Sequence, residues 1–210
     1  MEGQTKTGTT TIGIMCKDGI VLAADKRATA GFIVHKKVRK IATIADYAVV
    51  TFAGTVSDIQ LLVKLIQAEL KLKDLQVNRN ATMKETANLL AGLVYSNFRR
   101  MSFIPGITSF LLAGKDAIGV HLFDIGVDGS ALPIDDFVSD GSGSLFALGT
   151  LEANFKKGLS VEDGVKLVVR AMNSALQRDP GSGNGIDVVT ITEKGIQTVI
   201  EKELVTVLEV

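Results

Sequence analysis

The chain has 210 residues, of which 46% are hydrophobic, which is enough for one well-buried domain. Its 23 Lys and Arg residues balance its 23 Asp and Glu residues, so the charge gives no reason to expect a nucleic-acid or membrane partner. A single cysteine, Cys16, excludes an internal disulfide, and no apolar run reaches the roughly 18 residues of a membrane span. The short polar N-terminus lacks the apolar core of a secretory signal, so we expect a cytoplasmic protein.

Apolar runs predict strands in the first quarter of the chain. Two of them are separated by Asp18-Gly19, a pair that supplies the positive φ of a tight hairpin turn. The strands predicted in this region are 9–15, 19–24, 33–38, 40–44 and 47–53.

The apolar spacing then changes to the period of a helix. One helix is predicted to begin behind Ser57 as its N-cap, and a second behind Thr82, which forms a capping box with Glu85. A further helix follows Ser160, which has Asp163 three residues on, and one more helix is left open in that region. Strands return at 108–113, 117–123, 186–192 and 196–200.

The order of the elements indicates the fold class. Strands, two helices, strands, one or two helices and strands follow one another, and the strands are joined mainly by hairpins. This order predicts an α+β fold with largely antiparallel sheets and with helices outside them. No linker, repeat or low-complexity stretch divides the chain, so we expect one domain.

Several patterns that carry chemistry do not occur in the sequence. His35 and His121 lie far apart without metal-ligand spacing, and there is no GxSxG elbow. We expect Cys16 to be buried in a strand and unreactive. The glycine-rich segments 140–144 and 180–185 fit neither a P-loop nor a dinucleotide motif. They are either tight turns or places where the backbone approaches closely and a small hydroxyl can be aimed; we expect neither a metal nor a cofactor.

The strongest chemical feature is the run of threonines that follows Gly8. A threonine hydroxyl needs a base, and an N-terminal threonine carries one, because the pKa of an α-amine is near 7.7–8.0. Thr9 becomes N-terminal if the chain cuts itself after Gly8, whose permissive backbone allows the distorted geometry of self-attack. Residues 1–8 are then a propeptide and residues 9–210 the catalytic domain.

Charged residues that could tune such an amine follow in the next strands. A cation near the amine favours its neutral form, and a carboxylate holds that cation in place. Asp25 ends the second predicted strand, and Lys40 ends a basic stretch that begins at Lys36. The other interpretation of this stretch is a solvated basic edge.

Taken together, these residues resemble the β subunits of archaeal-type proteasomes, which are N-terminal-nucleophile hydrolases. The resemblance runs nearly end to end and is carried by TTTIGI at 9–14, KDGIVLAADKRAT at 17–29, VRKI at 38–41, FAG at 52–54, NLL at 88–90, GSGS at 141–144 and segment 178–188. It implies a four-layer αββα sandwich of two mainly antiparallel sheets between helix layers. It also implies a threonine-type endopeptidase activated by autocatalytic cleavage between Gly8 and Thr9.

The resemblance further implies a role for each catalytic residue. Thr9 is the nucleophile, and its freed amine is the general base, acting through a water. Asp25 pairs with Lys40, which tunes the nucleophile, and the Gly54 amide donates to the oxyanion. A hydrogen-bonded set around the new N-terminus consists of Ser142, Asp179 and Ser182.

Substrate recognition is implied in the same way. Thr29 is expected to bind the substrate backbone as an added strand. The residues implied to line the specificity pocket are uncharged, which predicts cleavage after apolar residues: Ala28, Val38, Ala42, Phe52 and Val56.

The implied partners are other subunits. Family members form seven-membered β rings, of one or of several subunit types, capped by rings of α subunits. Unfolded proteins are cut in the inner chamber, and a regulatory ATPase acts indirectly through the α ring.

Two alternatives stay open. A purely structural β subunit would usually lose the threonine, the lysine or the cleavable glycine, and all three are present here. A small-molecule amidase with an N-terminal nucleophile would need pocket residues chosen for one ligand, which the loops at 103–106 or 131–137 could supply.

Overall fold

Two five-stranded antiparallel sheets lie face to face in the computed structural model, which describes residues 8–103 and 105–204. Residues 1–7 of the predicted propeptide lie outside the described residues. The strands of the described chain are β1 (Thr11–Cys16), β2 (Gly19–Asp25), β3 (Ala28–Thr29), β4 (Ile33–His35), β5 (Ile41–Ala45), β6 (Ala48–Gly54), β7 (Thr108–Lys115), β8 (Val120–Ile125), β9 (Ala131–Ile134), β10 (Phe137–Asp140), β11 (Gly185–Thr192) and β12 (Gly195–Glu203). The helices are α1 (Val56–Val77), α2 (Met83–Arg99), α3 (Ser144–Asn154) and α4 (Val161–Arg178).

Three apolar clusters hold four layers together. The strand order is β10-β1-β2-β11-β12 in one sheet and β5-β6-β7-β8-β9 in the other, and residues such as Leu22 and Leu111 pack between them. Helices α1 and α2 pack on the outer face of the second sheet, and α3 and α4 on the outer face of the first. The expected αββα sandwich is therefore confirmed. Among residues 8–103 and 105–204, no helix is long and apolar enough to cross a membrane.

Two of the three predicted helix starts are correct. The Thr82 hydroxyl accepts a hydrogen bond from the Glu85 amide while the Glu85 carboxylate accepts one from the Thr82 amide, which completes the capping box. Ser160 accepts from the Asp163 amide in the same way. The predicted Ser57 cap is wrong, because α1 begins at Val56 with Thr55 as its N-cap. A tertiary hydrogen bond, from the Thr55 amide to the Ile107 carbonyl at 2.9 Å, fixes this start.

The segment 131–137, interpreted above as a loop, contains all of β9 and the first residue of β10. Strand β9 is an edge strand of the second sheet and β10 an edge strand of the first, so the chain crosses between the sheets at Asp135 and Asp136. Each strand has only four residues, which is too short for a period-2 pattern to show. Strand β10 matters for the site because it leads directly into the glycine-rich segment before α3.

Candidate active site

Thr9 lies immediately before β1 and is only 5% exposed. The loop that follows β10 holds its backbone: the Thr9 amide donates to Ser142 Oγ at 3.2 Å, and the Thr9 carbonyl accepts from the Gly143 amide at 3.2 Å. Gly141 has a φ of +92°, and a side chain there would overlap the Thr9 carbonyl. The glycine-rich segment 140–144 is therefore a tight turn that also binds the Thr9 backbone through hydrogen bonds.

The Lys40 amine lies at the centre of the site. Its Nζ is 3.0 Å from Thr9 Oγ1, 3.1 Å from the Gly8 carbonyl oxygen and 2.7 Å from Asp25 Oδ1. Burial lowers the pKa of the Lys40 amine from its ordinary value, and the charge and hydrogen bond of Asp25 act in the opposite direction. Lys40 can thus exchange a proton with Thr9 more readily than an exposed lysine could.

Asp25 ends β2 and is completely buried. Besides the Lys40 amine, its carboxylate accepts from the backbone amides of Thr10 at 3.0 Å, Arg27 at 2.9 Å and Gly183 at 2.9 Å. A buried carboxylate is tolerated when its acceptor sites are filled in this way. These four donors fix Asp25, and Asp25 in turn fixes the position of Lys40.

A second hydrogen-bonded set surrounds the Thr9 backbone. Asp179 Oδ2 accepts at 2.6 Å from the hydroxyls of both Ser142 and Ser182. Asp179 caps the C-terminus of α4 with an extended backbone (φ −88°, ψ 113°), as expected for the residue before Pro180. The hydroxyls of Ser182 and Thr10 are 2.7 Å apart. Sequence reasoning did not assign Thr10 a place in this set, although it lies in the threonine run.

The peptide bond between Gly8 and Thr9 is held from several sides. The Thr9 hydroxyl donates to the Gly8 carbonyl at 2.6 Å, and the Gly8 amide donates to Thr29 Oγ1 at 2.7 Å. A Cβ on Gly8 would overlap the backbone of Gly181. Only glycine therefore fits before Thr9, which is a steric requirement in addition to the backbone freedom expected from the sequence.

A cavity of about 150 Å³ opens beside Thr9. Four of the five expected pocket residues line it: Ala28, Val38, Phe52 and Val56. Ala42 does not; it packs against the core between the second sheet and its helices.

The cavity lining also contains residues that sequence reasoning missed. Ile59 and Gln60 enter from the first turn of α1, because this helix begins directly beside the site. Arg39 lies between Val38 and Lys40, and its guanidinium pairs with Glu201 at 2.7 Å. The lining is thus mainly apolar but not wholly uncharged.

Gly54 ends β6 at the same cavity. It has a φ of +124°, and a side chain there would overlap the Ile107 carbonyl, so the position requires glycine. Among the described residues, the Gly8 carbonyl accepts hydrogen bonds from Thr9 and Lys40 and not from the Gly54 amide. Gly54 therefore lies at the site, but its amide does not donate a hydrogen bond to the Gly8 carbonyl.

The remaining candidate groups lie away from Thr9. Burial, with smaller contributions from Asp18 and Asp163, raises the pKa of the Cys16 thiol to about 12, so the thiol stays protonated near neutral pH. His121 Nε2 lies 3.1 Å from Asp116, and His35 is exposed on the β3–β4 ribbon.

Comparisons with known proteins match most of the chain. Residues 5–191 match the family model described as "Proteasome subunit". "Proteasome subunit beta" of Ferroglobus placidus is 41% identical over 203 residues (96% of this chain and 95% of the relative), and that of Archaeoglobus profundus is 42% identical over 198 residues (94% and 90%). "Proteasome subunit beta 1" of Thermococcus kodakarensis is 41% identical over 203 residues (96% and 97%). The family match therefore spans the positions from Gly8 to Asn184 that contain the proposed catalytic residues.

Proposed function

Because the chain belongs to the proteasome subunit family, as a β subunit of the 20S particle, we propose that it is a catalytic β subunit that cuts itself between Gly8 and Thr9. The mature chain is then a threonine-type endopeptidase with Thr9 as its nucleophile. One observation carries the proposal: the Lys40 amine contacts both the Thr9 hydroxyl, at 3.0 Å, and the Gly8 carbonyl oxygen, at 3.1 Å. The proposed nucleophile (Thr9 Oγ1), proton acceptor (Lys40 Nζ) and scissile carbonyl (Gly8) thus lie in mutual contact.

Self-cleavage is an acyl shift from nitrogen to oxygen. Thr9 Oγ1 gives its proton to the neutral Lys40 amine and attacks the Gly8 carbonyl carbon. The negative charge that develops on the Gly8 oxygen is stabilised by the resulting Lys40 ammonium. The C–N bond then breaks as the Lys40 ammonium returns its proton to the Thr9 nitrogen, which leaves an ester between Gly8 and Thr9 Oγ1 and a neutral Lys40. Water hydrolyses this ester and releases residues 1–8 with a new carboxylate.

Substrate hydrolysis uses the amine that self-cleavage creates. The Thr9 amine, through a water, takes the Thr9 hydroxyl proton as Oγ1 attacks the substrate carbonyl. The Gly54 amide donates to the oxyanion, and one such donor is typically worth about 2.7–4 kcal/mol. The Thr9 ammonium returns this proton to the leaving nitrogen as the C–N bond breaks, and water then hydrolyses the ester on Thr9, which releases the other half of the substrate as a carboxylate and restores the Thr9 hydroxyl. A protonated Lys40, held by Asp25, favours the neutral form of the amine.

The cavity supports a preference for apolar residues before the cleaved bond. Its apolar walls include the side chains of Ala28, Val38, Phe52 and Val56, and the volume of about 150 Å³ suits one side chain. Thr29 would hold the substrate backbone alongside. We further propose a heptameric β ring, unfolded protein substrates and a cytoplasmic location.

Three observations weigh against the alternatives. A structural subunit has no need for a buried Lys40–Asp25 pair beside Thr9, because burying two charges costs free energy that a purely structural role would not require. A small-molecule amidase drawing on segment 131–137 is disfavoured, because that segment forms two edge strands. The polar side chains of the cavity are also largely committed to the proposed peptide chemistry, because Thr9, Thr29 and Lys40 are among them.

The first test is the mass of the chain after assembly. The full chain is produced together with its α subunit, and its intact mass and N-terminal sequence are measured. We expect loss of residues 1–8 and a chain that starts at Thr9, with hydrolysis of fluorogenic peptides that have an apolar residue before the bond. Thr9→Ala should leave the chain uncut and inactive, while Thr9→Ser, which keeps a hydroxyl, should still be cut. Retention of residues 1–8 by the wild-type chain in a complete particle would contradict the proposal.

A further inference from the structure

The backbones of Gly8 and Gly181 touch in the uncut chain. A Cβ on Gly181 would lie 2.5 Å from the Gly8 Cα, well inside the 3.0 Å limit that real Cβ atoms respect. A Cβ on Gly8 would overlap the Gly181 Cα, carbonyl carbon and oxygen. Neither residue can therefore carry a side chain while Gly8 is attached to Thr9.

The proposed self-cleavage affects the two glycines differently. If the chain cuts itself as proposed above, Gly8 leaves and Gly181 stays. The other neighbours of a Cβ on Gly181 would be Ser142 Oγ at 3.0 Å and Asp179 Oδ1 at 3.4 Å, both side-chain atoms. The φ of Gly181 lies outside the left-handed region that favours glycine. The contact with Ser142 Oγ is tight, but only the contact with Gly8 falls below 3.0 Å, so an alanine at this position conflicts mainly with the uncut chain.

Neither partner can easily move aside. The loop that contains Gly181 is braced by Arg27, which donates to the Pro180 carbonyl at 2.9 Å and to Asn184 Oδ1 at 2.8 Å. The Gly181 amide also donates to Asp179 Oδ1 at 3.1 Å. On the opposite side, Gly8 is tied to Thr29 by its amide. Relief of a clash would therefore displace the Gly8 carbonyl from Thr9 and Lys40.

We propose that Gly181 is a positioning residue for self-cleavage: its missing side chain lets the precursor seat the Gly8 carbonyl against the Thr9 hydroxyl. This inference rests on the proposed function. Under this proposal, Thr9 and Lys40 act in both self-cleavage and substrate hydrolysis, whereas Gly181 is required for self-cleavage only. Displacing a reacting carbonyl by about 1 Å can cost a rate on the order of 10²-fold. Gly181→Ala should therefore slow processing by about that factor and leave the mature enzyme active.

The experiment compares two forms of the chain, each assembled with the α subunit. One form is the full chain, and the other begins at Thr9, the product of cleavage. Each is made as wild type, as Gly181→Ala and as Gly149→Ala. Gly149 is the matched control, since a Cβ there would meet nothing within 4 Å. The cut fraction is followed by intact mass over time, and peptidase activity is measured per subunit that begins at Thr9.

The expected result is slow cutting of the full Gly181→Ala chain, normal cutting of Gly149→Ala, and peptidase activity within about threefold of wild type for each cut Gly181→Ala subunit. Cutting of Gly181→Ala at the wild-type rate would overturn the inference. So would an equal loss of activity in the form that begins at Thr9, because Gly181 would then serve the mature site. If the wild-type full chain is not cut and the wild-type form beginning at Thr9 is inactive, the proposed function fails as well.

Discussion

At the scale of single residues, Lys40 contacts the three groups that the proposed self-cleavage depends on. Its amine contacts the nucleophile, the scissile carbonyl and Asp25, all within 3.1 Å. In the uncut chain Thr9 has no free α-amine, so a different group must take the hydroxyl proton during self-cleavage. Lys40 is suited to this because burial lowers the pKa of its amine and so increases the neutral fraction.

Self-cleavage should consequently depend on pH. Only the neutral Lys40 amine accepts a proton, so the rate should rise about tenfold per pH unit while Lys40 is mostly protonated. Because the pKa of Lys40 is lowered, the rise should level off below the ordinary lysine value of about 10.4. The measurement is the initial rate of loss of residues 1–8, followed by mass, across a pH series.

Lys40→Arg tests the same assignment by substitution. A guanidinium stays protonated throughout the accessible pH range, so it cannot accept the hydroxyl proton. We expect self-cleavage to slow by about 10²–10⁴-fold and to lose its rise with pH. Lys37→Arg is the control, because Lys37 is 70% exposed and pairs with Glu203. A Lys40→Arg chain that is cut normally would mean that Lys40 acts only through its charge.

The sequence was sufficient to predict the residues at the centre of the candidate site but not those that line the outer part of its cavity. Thr9 could be selected because an N-terminal threonine carries its own base, and the family resemblance then singled out Asp25 and Lys40 as the carboxylate and cation that such a site needs. Arg39 and Gln60 could not, since their place in the cavity depends on how β5 and α1 begin. Ala42 was expected at the cavity and packs in the core instead, because a strand alternates its faces and the sequence does not say which face meets the cavity.

At the scale of elements, α1 and α2 begin in different ways. Helix α2 has a complete capping box between Thr82 and Glu85, while the Thr55 side chain makes no cap hydrogen bond to α1. Helix α2 is therefore stabilised locally at its start. Helix α1 relies on the backbone bond of Thr55 to the Ile107 carbonyl.

Replacing the two N-cap residues separates these cases. Thr82→Ala removes the acceptor for the Glu85 amide and should destabilise the subunit by about 1 kcal/mol. For a chain of this length, that free energy corresponds to a fall in the melting temperature of about 2–4 °C. Thr55→Ala removes no cap bond and should cost less than about 0.5 kcal/mol. Thermal unfolding of the subunit, read by circular dichroism, measures both; equal losses would show that the cap bond is not what stabilises α2.

Prediction of the elements succeeded where local signals are strong. The β1–β2 hairpin and the caps at Thr82 and Ser160 are set by a few neighbouring residues, and all three form, although the two turn residues of the hairpin are Lys17 and Asp18 and Gly19 begins β2. Strand β7 was predicted to end at residue 113 and continues to Lys115, because pairing with β6 and β8 extends it. Strands β9 and β10 were missed because an edge strand of four residues is defined by its partner rather than by its own pattern.

At the scale of the whole molecule, the four layers leave one face of α1 uncovered by the described residues. The buried side of α1 consists of Ile59, Leu62, Ile66 and Leu70. A second stripe, formed by Leu61, Leu65, Leu72 and Leu75, is 39–71% exposed. These four leucines lie within one sector of the helix, because they are spaced by about whole numbers of turns.

Exposed apolar stripes of this kind usually mark interaction surfaces. The chain is a β subunit of a multi-subunit particle that also contains α subunits, so we expect a neighbouring subunit to cover the stripe. The double variant Leu72→Glu, Leu75→Glu should then reduce the yield of particle assembled with α subunits by tenfold or more, as charges enter an apolar contact. Native mass spectrometry of the co-produced subunits gives the yield.

The control separates assembly from folding. Leu72→Met with Leu75→Met keeps the stripe apolar and should assemble like the wild type. The melting temperature of the isolated glutamate variant should stay within about 2 °C of wild type, since both leucines are exposed in the single subunit. Assembly of the glutamate variant at the wild-type yield would mean that this face of α1 points to solvent in the particle. A large fall in its melting temperature would mean instead that the stripe stabilises the subunit itself.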